Sequence, residues 1–401
     1  MLDFRLKLYS DSFKRTLVCL LSPNADASTT DTAIKIFHDI TSEEYEAITQ
    51  LVQESPLPKK PRLSHHSSDG IIIMEWPRAT HEAPLTDLRE IISPAMRLLP
   101  FDKCKVRALV EMNSPFQSPE SGFSATSDLS LVLMSLLGSG NREILILAEC
   151  AFSQDEQSLR DKVKKELAAH PKVVLFFMII VSEVEEYHGP KEGTDAWNYF
   201  ADEARCRDAQ SFLSLQEQPL ASGAARVMVA GHNWCNISSV DYYVWVKQDD
   251  KQIDIDNPNN MVHDHCILTR IFLPDIEMED VKLMIKKGLL KARDSIVTFC
   301  KKLDPEADTR ALQSAEIVCV VDWEICQMAL VAAATATAHD RYQGWYNAVF
   351  RGLKCPLSDD EEYKPSNEDS GVDTSNSDSS PTQTPPIDAT RAMCSKLRRL
   401  G

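Results

Sequence analysis

Eleven cysteines are scattered singly through 401 residues, with no CxxC pair and no framework spacing. That argues against a disulfide scaffold or a metal knuckle and for a reduced, intracellular setting. No run approaches the roughly 18 to 20 apolar residues that a membrane-spanning helix needs, so no membrane span is expected. The most apolar stretch, Val173 to Val181, is only strand-sized. From Met1 to Leu21 acids and bases interleave, which is not signal-peptide order. The patterns GxxxxGK[ST], GxGxxG and GxSxG are all missing, so nucleotide-driven work and α/β-hydrolase chemistry lack their usual marks.

Basic excess is lacking as well. Against 60 Asp and Glu stand 43 Lys and Arg, for a net charge of -17. Phosphate recognition needs clustered cations, so nucleic acid is disfavoured as a partner and an unidentified protein partner is expected instead. Part of the acid is segregated: Asp359, Asp360, Glu361, Glu362, Glu368, Asp369, Asp373, Asp378 and Asp388 face Lys364 alone between Pro356 and Thr390. The stretch 353–401 therefore reads as a disordered acidic tail.

The 43% of hydrophobic residues suffice for a sizeable core. Residues 1–53 read as an N-terminal α/β segment, 54–69 as a Pro-, Ser-, His- and Lys-rich loop or linker, and 70–352 as the main α/β domain. The linker holds Pro58-Lys59-Lys60-Pro61-Arg62. Lys59, Lys60 and Arg62 form either a cluster legible to a nuclear import receptor or a solvated loop, so the expected location is cytoplasmic or nuclear.

Periodicity supplies the elements. Strands are expected at Phe4 to Leu8, Thr16 to Leu21, Ile71 to Trp76, Cys104 to Met112, Asp128 to Leu136, Ile144 to Cys150, Val173 to Val181, Arg226 to Ala230, Val240 to Lys247 and Cys266 to Phe272. Helices are expected at Ser42 to Val52, Leu85 to Leu99 with a break at Pro94, Gln157 to Ala169, Ala196 to Leu215 and Val281 to Leu303, with a last helical region over Asp308 to Phe350. Asn113 to Thr126 reads as a loop. Strand, helix, strand from Ile144 to Val181 is a βαβ crossover with parallel strands. The expected fold class is α/β, a mixed sheet flanked by helices with additional C-terminal strands and long helices.

The chemistry concentrates where the strand ending at Glu149 meets the corner before the next helix. Alternation puts Glu149 and Ala151 on one face, and Asp128 on the partner strand meets Glu149 if the register allows. Two carboxylates there suit Mg²⁺, which is held by few oxygens with waters retained. A lysine two residues after the glutamate would orient the attacking water, but that position is Ala151.

Ser127-Asp128-Leu129, Glu149-Cys150-Ala151 and Phe152-Ser153-Gln154 resemble the motif of the restriction-endonuclease-like, or PD-(D/E)XK, superfamily over about 124–187, and look closest to its divergent fungal members. The resemblance implies a mixed-sheet core, Asp128 and Glu149 as metal ligands and catalytic acids, and a catalytic Lys relocated to the following helix. Lys162 or Lys165 is placed to supply it, and Gln154 to orient water. Serine precedes the aspartate where the family has proline. Each residue also has a plainer reading: Asp128 a turn residue, Glu149 a strand-end carboxylate bonded to backbone amides, Lys162 part of a solvated helix face, and Ser153 with Glu156 a capping box.

His263-Asp264-His265-Cys266, with His232 and Cys235, contains zinc-ligand types without paired spacing. Trp234, Tyr242, Tyr243 and Trp245 read as packing residues, because the aspartates around them would repel phosphate. Two functions remain open: a non-catalytic nuclease-like domain acting as an interaction or scaffold protein with no cofactor, or a divergent Mg-dependent nuclease or phosphodiesterase using Asp128 and Glu149.

Overall fold

The computed structural model describes residues 10–21, 34–55, 60–67, 69–118, 123–138, 141–152, 156–203, 205–216, 225–248, 251–257, 261–267 and 278–354. The chain divides into units Met1–Cys355 and Pro356–Gly401. Every described residue belongs to the first. Of the acidic tail expected over 353–401, residues 353 and 354 instead close the last helix, and 355–401, like the strand expected at Phe4 to Leu8, lie outside the described residues.

At the N-terminal end are α1 (Asp11–Leu21), β1 (Ile34–Phe37), α2 (Ser42–Glu54), β2 (Arg62–His66) and β3 (Ile71–Glu75). Two expectations are corrected here. Thr16 to Leu21 is helical: Phe13, Thr16 and Leu20 are buried at helical spacing, and the Ser10 hydroxyl accepts the Phe13 amide at 3.0 Å. A six-residue apolar run alone does not tell the two periods apart. The stretch 54–69, expected as a loop or linker, contains strand β2, which is held between β3 and β5. Helix α2 is capped by Thr41. Its hydroxyl accepts the Glu44 amide at 3.2 Å while the Glu44 carboxylate accepts the Thr41 amide at 3.0 Å.

The body continues with α3 (Ala79–Arg97), β4 (Val106–Ser118), β5 (Phe123–Ser135), β6 (Arg142–Phe152), α4 (Glu156–Ala169) and β7 (Leu175–Glu183). Helix α3 passes through both Pro84 and Pro94, with no break at the second. Residues 113–118 and 123–126, expected as loop, extend a long β4–β5 hairpin. Its Pro115 is tolerated because β4 pairs with β5 alone. The crossover is as expected: β6 and β7 are parallel across α4.

Then come α5 (Asp195–Ala201), α6 (Ala209–Leu213), β8 (Arg226–Val229), β9 (His232–Val246), β10 (Met261–Ile267), α7 (Glu279–Leu303), α8 (Arg310–Ser314) and α9 (Trp323–Lys354). The single helix expected over 196–215 is two short ones. Asp208 starts the second by accepting the Ser211 amide at 2.8 Å.

The fold is thus α/β, with a mixed sheet in the order β1-β3-β2-β5-β6-β7-β9-β10, β4 beside β5 and β8 beside β9. One face carries the largest core, with Leu88 and Ile92 of α3, Ile285 and Leu289 of α7 and Ala334 and Tyr342 of α9. The other face packs Leu159 and Val163 of α4 over Leu147, Ala151 and Phe176. A third core, including Phe13, Ile48, Ile72 and Met74, belongs to the N-terminal elements. Helix α9 is fastened to β7 by Arg341, whose Nη1 and Nη2 donate to Glu183 at 2.8 and 2.7 Å while the guanidinium lies 4.3 Å from the Tyr187 ring centroid.

Helix α7 approaches β7 so closely that a Cβ on Gly288 would lie 2.6 Å from Leu175 Cδ1. Both sites are fully buried, so Leu175 has little room to yield. Gly288→Ala is expected to destabilise by about 1–3 kcal/mol through overpacking, read as a lower urea midpoint at unchanged slope.

Candidate functional site

The sheet forks at β5. One edge is lined by β4 along its length. The other is shared: β6 pairs with it from Leu129 to Met134, whereas β2 pairs with it at Phe123 and Ser124. Between these two ladders no strand pairs with that edge of β5, and side chains fill the gap. The Asp128 amide donates to Glu149 Oε1 at 3.1 Å, and the Cys150 amide donates to Asp128 Oδ2 at 2.7 Å. Each carboxylate thus stands in for a ladder hydrogen bond to the opposite strand. On the β4 side the chain kinks where it faces Asp128: Asn113 has φ 54°, a left-handed conformation that Asn tolerates better than most residues.

Cations converge on both acids. Arg62, on β2, places Nη1 2.6 Å from Asp128 Oδ1 and also bonds Glu82. His81, in the first turn of α3, lies 3.3 Å from Asp128 Oδ2 and 3.4 Å from Glu75. Lys162, on α4, donates to Glu149 Oε2 at 2.5 Å and to the Thr126 carbonyl at 3.3 Å. Glu166, one turn on, sits 3.8 Å from the Lys162 ammonium and beside Glu149. The cluster is closed to solvent: side-chain exposure is 5% for Arg62, 1% for Asp128, 1% for Glu149 and 12% for Lys162.

Burial and charge set the protonation states. Burial opposes ionisation of Asp128, but Arg62, His81 and Lys162 together hold its carboxyl well below the usual range. Burial and then the Asp128 charge push Glu149 up, against the pull of Lys162. Burial and then the neighbouring Glu149 charge push Glu166 far up. For His81, burial disfavours the cation, yet the Asp128 carboxylate outweighs it and raises the imidazole to about 9. Buried charges persist only when paired and hydrogen-bonded in this way.

Of the residues singled out from sequence, Asp128, Glu149 and Lys162 meet in one cluster. Gln154 lies outside the described residues, as does Ser153. Lys165 turns away to His66 Nδ1, 2.7 Å distant. Lys162, whose plainer reading was a solvated helix face, points into the sheet instead. Arg62, read within a surface basic cluster, is buried on Asp128, while Lys59 is outside the described residues. Trp234 and Trp245 are fully buried, as packing residues. The side chains of His263, His265 and Cys266 are outside the described set.

Sequence reasoning missed Arg62, His81, Glu82 and Glu166 as site residues. Only Glu166 had a legible signal: it falls three residues after Val163 and seven after Leu159, on the apolar stripe of α4.

The arrangement does not fit a Mg²⁺ ion as it stands. All four oxygens of the two carboxylates are engaged by Arg62, the Cys150 amide, the Asp128 amide and Lys162. Among the described residues no group of three or more His, Cys, Asp or Glu is disposed to hold a metal, and no helix is long and apolar enough to cross a membrane. No family model, curated protein or solved structure matches the chain.

Removing one partner of a buried pair strands the other. Arg62→Ala should cost about 3–5 kcal/mol of unfolding free energy, and the double variant Arg62→Met/Asp128→Leu less than either single change, as read by denaturant titration. The native His81 pKa lies above its ordinary value, so its contribution is complete below pH 6.5 and lost as pH rises through about 9. That interval corresponds to on the order of 3 kcal/mol. Glu149, also raised, acts in the same direction. The melting temperature should therefore fall from pH 6 to pH 9.5, and fall less steeply in His81→Gln.

Proposed function

We propose that the chain carries a restriction-endonuclease-like core whose site has become a closed ion network, and that it works as a non-catalytic interaction or scaffold protein. The observation that carries this reading is the engagement of all four carboxylate oxygens of Asp128 and Glu149 by protein donors. The nuclease-like part of the reading is supported by the acids' placement on the antiparallel β5–β6 pair, followed by α4 and the parallel β7.

The position two residues after Glu149 supports it further. Ala151 is 1% exposed and packs beneath Leu159 and Val163 of α4, so a lysine there would bury its charge in an apolar layer. The net charge of -17 disfavours nucleic acid as the ligand.

A divergent Mg-dependent nuclease or phosphodiesterase is the second reading, favoured by the convergence of Lys162 on Glu149 at 2.5 Å beside Asp128. In it Lys162 would be the relocated lysine, and a cation would have to displace Arg62 from Asp128. Cleavage of single- and double-stranded DNA and RNA with Mg²⁺ or Mn²⁺ separates the two, using wild type beside Asp128→Asn, Glu149→Gln and Lys162→Met. The expected result is no cleavage by wild type above the variants. Cleavage by wild type that all three variants lose would overturn the interaction reading.

A further inference from the structure

Between α8 and α9 the chain from Glu316 to Asp322 belongs to neither a helix nor a sheet ladder. Ile317 is 6% exposed, Val318 53% and Val320 72%, while Cys319, Val321 and Trp323 pack against the main core. This inward and outward alternation is that of an extended chain. The segment runs along α7: the Ala315 carbonyl accepts from Arg293 Nη1 at 2.7 Å, and Lys282 and Lys286 act on the Cys319 thiol. Its far end is fixed where Trp323 meets the Tyr242 ring, with centroids 5.6 Å apart.

Among the described residues, no hydrogen bond engages the backbone groups of residues 316–321. An extended segment with one face anchored and its backbone unpaired is a template for another strand.

The outward row specifies what would pair. It reads Glu316, Val318, Val320, Asp322, with Glu324 after it, so two valines stand between acidic ends. Ile325 and Met328, 56% and 64% exposed, continue the apolar surface onto α9. A second copy paired antiparallel about Cys319 would match Val318 with Val320, yet it would also set Glu316 against Asp322, and like charges directly opposite destabilise a strand pair. Lys282 is already paired with Glu279 at 2.9 Å.

We infer that Glu316–Asp322 is a docking edge for an extended peptide of a partner protein, one whose paired face presents two apolar residues flanked by Lys or Arg. The inference rests on the interaction reading above and gives that reading a surface and a partner chemistry.

The test uses the full chain and two labelled ten-residue peptides of alternating valine and threonine, one with lysines at both ends and one with glutamates, followed by fluorescence anisotropy. The lysine-ended peptide should saturate, and the glutamate-ended one should bind at least about threefold more weakly, the scale of one cross-strand charge pair. Val320→Pro removes a backbone donor and should abolish binding. Glu316→Lys, at an exposed position, leaves Asp322 and Glu324 acidic at the other end and should therefore weaken the preference between the peptides without disturbing the fold.

Equal binding of both peptides, failure of the lysine-ended peptide to saturate, or an unchanged preference in Glu316→Lys would overturn the docking edge. Failure of the interaction reading is separately visible, as cleavage that depends on Asp128 and Glu149. An inactive protein that binds neither peptide loses this edge alone.

Discussion

The ion pair between Arg62 and Asp128 sits where two strands compete for one edge of β5, and the sheet's continuity depends on it. β6 leaves that edge at Leu129 and β2 takes it up at Ser124, so the intervening backbone must find its partners elsewhere. Asp128 supplies one by accepting the Cys150 amide, and Glu149 supplies another by accepting the Asp128 amide. Two carboxylates doing this side by side would repel each other in a medium with little water. Arg62, His81 and Lys162, from three different elements, offset that repulsion. The same contacts tie the N-terminal strands, with their own core around Ile48 and Ile72, to the larger body.

On the proposed reading, the two acids meet in a place where each of their oxygens is already engaged by the protein. A hydrolytic metal site needs carboxylate oxygens free to meet a cation, with an open coordination position for water or substrate. Here burial, which raises Glu149 and Glu166, is the condition that makes the cations from the protein indispensable. Neutralisation by Arg62 and Lys162 is the alternative to neutralisation by metal. The alanine at 151 belongs to the same solution, since α4 packs directly on it and brings Lys162 to Glu149 from above.

Much of the sheet was legible because its strands are strongly apolar or flanked by turn residues. The run from Ile144 to Val181 announced a crossover, and the structure has it. Illegible parts share a physical cause, which is that tertiary partners decide the local state. Thr16 to Leu21 is helical because its buried residues recur at helical spacing only when Phe13 is included. Residues 113–118 and 123–126 are strand because β4 and β5 pair along their whole length despite Pro115 and a polar composition. In the site, Asp128 and Glu149 could be found from an acid ending an apolar strand, and Lys162 from the following helix. Arg62 and His81 could not, because nothing in a Pro-Lys-Lys-Pro-Arg run or a lone helix-start histidine announces a carboxylate 66 or 47 positions away.

The central claim, that protein cations hold these carboxylates in place of a metal, is tested most directly by calorimetric titration of Mn²⁺ into the wild-type chain beside Asp128→Asn and Glu149→Gln. The account requires the three titrations to coincide, with no saturable heat that depends on either acid. Saturable binding by wild type that both substitutions remove would contradict it.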